Sequence, residues 1–211
     1  YVPADDGDEI IQTNEEGKLA VLYLHQKEQP YSIEETEVIE GYVPGQKVEF
    51  TVTQENGIGN PIKAEIVNKP TAMELDKKDG YDDKPMAVGF KVLDKDGKAM
   101  KFSKLESGEY KYSNEGVEVI HTSDDGKLKA MYLPLGNAPY SFEEVEKPAG
   151  YGVAGAIKAE RKDENTYEKA VLVTVKNVPL ALERLKVDGK TKKHVEAGYA
   201  IMNERGEKKE P

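Results

Sequence analysis

The chain has 211 residues, 37% of them hydrophobic and 33% charged, with a formal net charge of −10. That is room for one large domain or about two ordinary ones, and the acidity argues against nucleic acid as a partner, because phosphates need a basic face. No run reaches the roughly 18 apolar residues of a membrane span, "YVPADDGDEI" does not read as a signal peptide, and the absence of cysteine leaves the compartment open.

Twelve tyrosines against four phenylalanines and no tryptophan favour β structure, and nineteen glycines with eleven prolines supply turns. In chain order, "TNEEGKLAVLYL" (13–24), "YSIEETEVIEGY" (31–42) and "VNKPTAMELDKKDG" (67–80) come first. Each returns 109 positions later, as "TSDDGKLKAMYL" (122–133), "YSFEEVEKPAGY" (140–151) and "KNVPLALERLKVDG" (176–189). Shifted by 109, residues 1–102 align with 110–211 without a gap, and 30 of the 102 pairs are identical. A unit of that length is a domain rather than a solenoid repeat.

Asn-x-Pro at 68–70 and at 177–179 closes an apolar run each time. Residues 72–179 therefore read as one complete repeat. Residues 1–71 read as the C-terminal two-thirds of another, and 180–211 as the N-terminal third of a further one. Within the complete unit, expected strands are 72–77, 88–94, 108–113, 117–122, 128–134, 140–146 and 168–177. Asp96-Gly97, Asp125-Gly126 and Gly136-Asn137 supply turns between them. Residues 154–165 stand open between a short helix and a long loop. The expected fold class is all-β, antiparallel throughout, in tandem β-sandwiches.

Three strands end an apolar stripe on a polar residue. Met73 and Leu75 share a parity with Lys77; Tyr140 and Phe142 with Glu144; Val171, Val173 and Val175 with Asn177. Burying even a neutral amide alone costs on the order of 2–7 kcal/mol, so the economical arrangement is that the three meet. Desolvation favours a neutral, nucleophilic amine and a protonated carboxyl. Lys77 can then attack the Asn177 side-chain carbonyl while Glu144 polarises it and shuttles protons, releasing ammonia in a single turnover.

This arrangement resembles the B-type repeat domain of Gram-positive collagen adhesins and the related domains of pilin subunits. The resemblance rests on the box Tyr140, Phe142, Glu144, Pro148, Gly150 and Tyr151, on Lys77 before Lys78-Asp79, and on Asn177. It implies a transthyretin-like or immunoglobulin-like sandwich crosslinked by an isopeptide bond. It further implies a stalk or adhesin module, extracellular and attached to a cell wall, needing no cofactor. Its partners would be neighbouring repeats and, in an alternative reading as a ligand-binding adhesin, a host matrix protein or glycan. No multiple-turnover enzyme is expected.

The flanking copy supplies a second set: Glu35 as acid/base, Asn68 as acceptor and Lys186 as amine. Ile39 stands in place of the box proline, and Arg184 falls where an inward apolar residue belongs. Because Lys186 and Asn68 lie in opposite flanks, residues 180–211 of one molecule could complete 1–71 of the next, in head-to-tail self-association or a closed ring; alternatively, with Leu185 and Val187 on the opposite parity, Lys186 simply faces solvent. The acidic clusters Asp5-Asp6-Gly7-Asp8 and 79–83 do not have calcium-loop spacing, and His25, His121 and His194 are not at zinc spacing.

Overall fold

The computed structural model describes residues 1–2, 10–26, 29–160 and 165–209. Its contacts divide the chain into two units, Tyr1–Pro179 and Leu180–Pro211, so no division falls at 71/72. The first unit opens with the short strands β1 (Tyr31–Ile33), β2 (Tyr42–Val43), β3 (Val48–Phe50) and β4 (Lys69–Pro70). The central region follows with β5 (Ala72–Asp79), β6 (Gly89–Leu93), β7 (Phe102–Lys104), β8 (Tyr110–Tyr112) and β9 (Ile120–His121). It is completed by β10 (Lys127–Met131), β11 (Tyr140–Glu144), β12 (Ile157–Ala159) and β13 (Val171–Asn177). The second unit carries the hairpin β14 (Ile201–Met202) and β15 (Lys208–Lys209).

The central strands form two sheets, β13-β5-β10-β8-β7 and β12-β11-β6-β9. Period-2 alternation turns Met73, Leu75, Val173 and Val175 of the first sheet toward Phe90, Val92, Tyr140 and Phe142 of the second, in one buried cluster. Phe90 and Phe142 meet edge to face, with ring centroids 6.4 Å apart.

The expectation of antiparallel pairing throughout is overturned. β13 runs parallel to β5, with Val175 opposite Lys77 and Asn177 opposite Asp79, and β10 runs parallel to β8. The chain reaches β13 from the opposite sheet, through β11 and β12, so no hairpin fixes its direction. Two smaller differences accompany this one. The expected strand 117–122 shrinks to β9, and the open segment contributes a strand, β12, paired antiparallel with β11. Gly136-Asn137 sits in a single 3-10 turn, Leu135–Asn137.

Backbone conformation recurs at the 109-residue shift. Tyr31 pairs with Phe50 as Tyr140 pairs with Ala159. Tyr23 and Tyr132 both hold φ 59°, as do Asp83 and Lys192. In the second unit the Asp188 N–H donates to the Lys193 carbonyl at 2.8 Å, matching Asp79 and Lys84 at 2.8 Å.

Residues 1–71 are fixed to the central sandwich at Thr71, which is wholly buried. Its N–H donates to the Gly41 carbonyl at 3.0 Å, its hydroxyl donates to the Leu133 carbonyl at 2.8 Å, and its carbonyl accepts the Tyr132 N–H at 2.9 Å. Tyr42 packs edge to face on Tyr132 at 5.4 Å. At Gly41, with φ +86°, a Cβ would stand 2.7 Å from the Tyr132 carbonyl oxygen, so the joint admits only glycine there.

Candidate functional site

The parallel pairing of the first and last strands of the central sandwich brings the candidate residues together. Lys77 faces Val175 across the ladder, and Asn177 is the next inward position on β13, a diagonal neighbour within side-chain reach. Glu144 ends β11 and approaches from the opposite sheet. Lys77 is 0% exposed, Asn177 1% and Glu144 9%. All three sequence-derived residues of this set therefore occupy one buried place.

The Asn177 amide nitrogen donates to Glu144 Oε1 at 2.5 Å. Asn177 Oδ1 and Glu144 Oε2 are buried without a hydrogen-bond partner. Among the described residues Lys77 Nζ reaches the Lys78 carbonyl at 3.4 Å and Met86 Sδ at 3.7 Å. Burial pushes the Lys77 amine below its ordinary pKa, and the charges of Glu144 and Asp79 oppose that shift without reversing it. An amine with weak partners, an amide oxygen with none and a carboxyl holding the amide nitrogen are the parts of an acyl transfer from nitrogen to nitrogen.

Local contacts hold the frame. The Lys77 N–H donates to the Gly126 carbonyl at 2.8 Å, and a Cβ on Gly126 would lie 2.4 Å from the Lys77 carbonyl oxygen. The Gly80 N–H donates to the Asn177 carbonyl at 2.8 Å. The Tyr151 hydroxyl donates to Asp79 Oδ2 at 2.5 Å. That bond, with the Tyr81 N–H, holds the Asp79 carboxyl below its ordinary pKa. Sequence reading missed the Asp79–Tyr151 tie and the Met86 contact. The recurrence of Asp79-Gly80 as Asp188-Gly189 was the available signal for the first.

In the flanking copy, the Asn68 amide nitrogen donates to Glu35 Oε1 at 2.7 Å, and the Gly45 N–H contacts both Glu35 Oε2 at 3.2 Å and Asn68 Oδ1 at 3.0 Å. Both side chains are only half-buried. Lys186 belongs to the second unit and is exposed there. Arg184 precedes it on the strip and lies 4.6 Å over the Tyr199 ring.

Among the described residues no group of three His, Asp or Glu side chains is placed to hold a metal ion. The carboxylates of Asp82 and Asp83 are paired with Lys84 and Lys176, and the cluster at 5–8 lies outside the described residues. His121 pairs with Glu146 at 2.9 Å.

The model of the SpaA prealbumin-like fold domain matches residues 71–176. The chain belongs to this family. The match covers the central sandwich with Lys77, Glu144 and all but the last residue of β13, and the sandwich class expected from sequence agrees with it. No curated protein matches the chain. Solved structures similar to it include the shaft pilin SpaA of Lactobacillus rhamnosus GG, at 17% identity over 74% of this chain and 66% of that one, with a TM-score of 0.43. A streptococcal ancillary pilin aligns at 24% identity over 83% and 57%, with a TM-score of 0.43. The backbone protein of group B streptococcus pilus 2b aligns at 17% over 69% and 52%, also with a TM-score of 0.43. The chain thus spans less than two thirds of each of these relatives.

Proposed function

We propose that this prealbumin-like domain is a structural stalk module of a Gram-positive cell-surface protein, extracellular and wall-associated, which closes itself with an isopeptide bond between Lys77 and Asn177. The observation that carries the reading is the buried triad itself: an oriented amide, an amine with weak partners and a carboxyl between the two sheets. The neutral Lys77 amine attacks Asn177 Cγ. The Nζ–Cγ bond forms and the Cγ–Nδ2 bond breaks. The proton lost by Nζ passes through Glu144 to the leaving nitrogen, which departs as ammonia. No cofactor enters, and the reaction turns over once, so the module is not an enzyme in the ordinary sense.

The mechanical consequence follows from topology. Load on the central repeat enters at Thr71 and leaves at Pro179, at opposite ends of the parallel strands β5 and β13. A covalent bond between those two strands carries the load instead of the ladder. In the same reading the chain is a run of tandem sandwiches. Residues 72–179 form a complete repeat, 1–71 the latter two-thirds of its predecessor and 180–211 the first third of its successor, and neighbouring repeats are the natural partners.

Intact mass under denaturing conditions tests the reading. The wild-type chain should be lighter than its sequence by one ammonia for the central bond, and Glu144→Gln should have its full sequence mass. A wild-type chain at full sequence mass would sink the proposal.

A further inference from the structure

We infer that Tyr151 is a positioning residue of the crosslinking site: its hydroxyl holds the Asp79 carboxylate off the Lys77 amine, which stays neutral and able to attack Asn177. The inference rests on the reading of Lys77, Asn177 and Glu144 as a crosslinking set, and adds to it the control of a neighbouring charge.

The need for that control is written into β5. Asp79 follows Lys77 by two positions, on the parity of Met73, Leu75 and Lys77. Along a strand that spacing is about 6.6 Å, within reach of a lysine side chain. A carboxylate beside an amine favours the ammonium, and an ammonium has no lone pair with which to attack. Left to itself, this stripe would close as an ion pair and disarm its own nucleophile.

The Asp79 oxygens are engaged elsewhere. Oδ1 accepts the Tyr81 N–H at 2.6 Å, and Oδ2 accepts the Tyr151 hydroxyl at 2.5 Å. Among the described residues the amine is left with the Lys78 carbonyl at 3.4 Å and Met86 Sδ at 3.7 Å, and a thioether is a weak acceptor. Glu144 and Asp79 are the charges that act on the amine, and burial outweighs both. Glu144 faces it from β11 as the proton relay. Val175 on β13, Gly126 before β10 and Met86 before β6 meet Lys77 without a charge. The nearby cations Lys78, Lys84 and Lys176 are paired with Asp76, Asp82 and Asp83. Asp79 is therefore the charge whose placement decides the state of the amine.

The phenol is anchored at both ends of the site. After Gly150, at φ +87°, the Tyr151 N–H donates to the Pro148 carbonyl at 3.3 Å. Tyr151 then pairs antiparallel with Pro179, and the Gly152 N–H donates to the Val178 carbonyl at 3.0 Å. The turn that follows β11 is thus stitched to the chain just beyond Asn177. That brings the hydroxyl to the end of β5, where Asp79 stands opposite Asn177. The bond to Asp79 also pushes the phenol above its ordinary pKa, so it remains a donor wherever the lysine titrates below that range.

The test follows ammonia loss by intact mass. The full chain, made as insoluble and unreacted protein, is refolded by dilution from about pH 6 to about pH 9, below the range of the phenol, and stopped in acid at intervals. Tyr151→Phe removes the hydroxyl alone. At neutral pH it should crosslink about tenfold more slowly than wild type, the effect of a contacting carboxylate on the neutral fraction of an amine. The gap should narrow as pH rises. Adding Asp79→Asn, which keeps the Oδ1 acceptor for Tyr81, should restore the rate. Asp79→Asn alone should react faster than wild type at the acid end, and it tests the inference even where Tyr151→Phe does not fold. A Tyr151→Phe profile that matches wild type would overturn the inference. So would an equal slowing at every pH that Asp79→Asn does not relieve, which is the loss of a structural tie, or a slower reaction in Asp79→Asn alone. A wild-type chain that keeps its full sequence mass at every pH would overturn the crosslinking function and this inference with it.

Discussion

The two carboxyl–amide pairs of this chain, Glu144–Asn177 and Glu35–Asn68, make the same hydrogen bond in different surroundings. The first lies under β5 with a buried lysine beside it; the second is half-buried. In the flanking copy Glu35 lies just past β1 and Asn68 just before β4, so the pair forms there outside any strand, whereas in the central repeat β5 supplies burial and the amine. Orientation of the acceptor and activation of the nucleophile are separable parts of the site, carried by different segments of sequence.

The largest expected effect breaks the central set. Lys77→Met and Asn177→Ala should both leave the central bond unformed. A crosslink across a loop of about 100 residues is worth roughly 4–5 kcal/mol by chain entropy, so Lys77→Met should melt on the order of 20 °C lower than wild type. Asn177→Ala should fall further, because the lysine then stays buried with neither bond nor acceptor. Thermal melts of the two variants check the ordering, and equal melting temperatures would dissolve the distinction between crosslink and burial.

A smaller effect belongs to the joint. Gly41→Val forces a branched side chain into a left-handed conformation against the Tyr132 carbonyl, a strain of about 1–3 kcal/mol. Limited proteolysis should cut faster around residue 71, while the central melting transition stays in place.

The smallest effect is a pH slope that distinguishes reacted from unreacted Lys77. Burial lowers the pKa of the free amine in the folded state. The unfolded chain then binds more protons than the folded one between that lowered pKa and the ordinary lysine value of about 10.4. Stability should therefore rise with pH across that window in Asn177→Ala, where the amine is free. On the proposed crosslink the wild-type nitrogen is an amide, and this contribution should be absent. Melting temperatures of both proteins from neutral to about pH 10 would show it, and parallel slopes would contradict it.

Much of the site was legible because a strand carries its facing in its sequence. Met73-Leu75-Lys77, Phe142-Glu144 and Val175-Asn177 each show alternate residues buried together. The direction of β13 relative to β5 was not legible, since period-2 alternation is the same in parallel and antiparallel ladders. Yet that direction puts Lys77 and Asn177 side by side. β7 and β12, three residues each, are too short to show a period. β9 lost most of its expected length where Val117 turned to solvent and 117 paired with Phe102 as an isolated bridge. The Tyr151–Asp79 tie joins residues far apart in sequence, and its only sequence signal is that Asp79-Gly80 recurs as Asp188-Gly189.

Tandem mass spectrometry of digested, denatured wild-type protein tests the central claim most directly. The account predicts a branched peptide in which Lys77 is joined through its side chain to Asn177, lighter by one ammonia than its two arms. Two linear peptides, one with a free Lys77 amine and the other with an intact Asn177 amide, would contradict it.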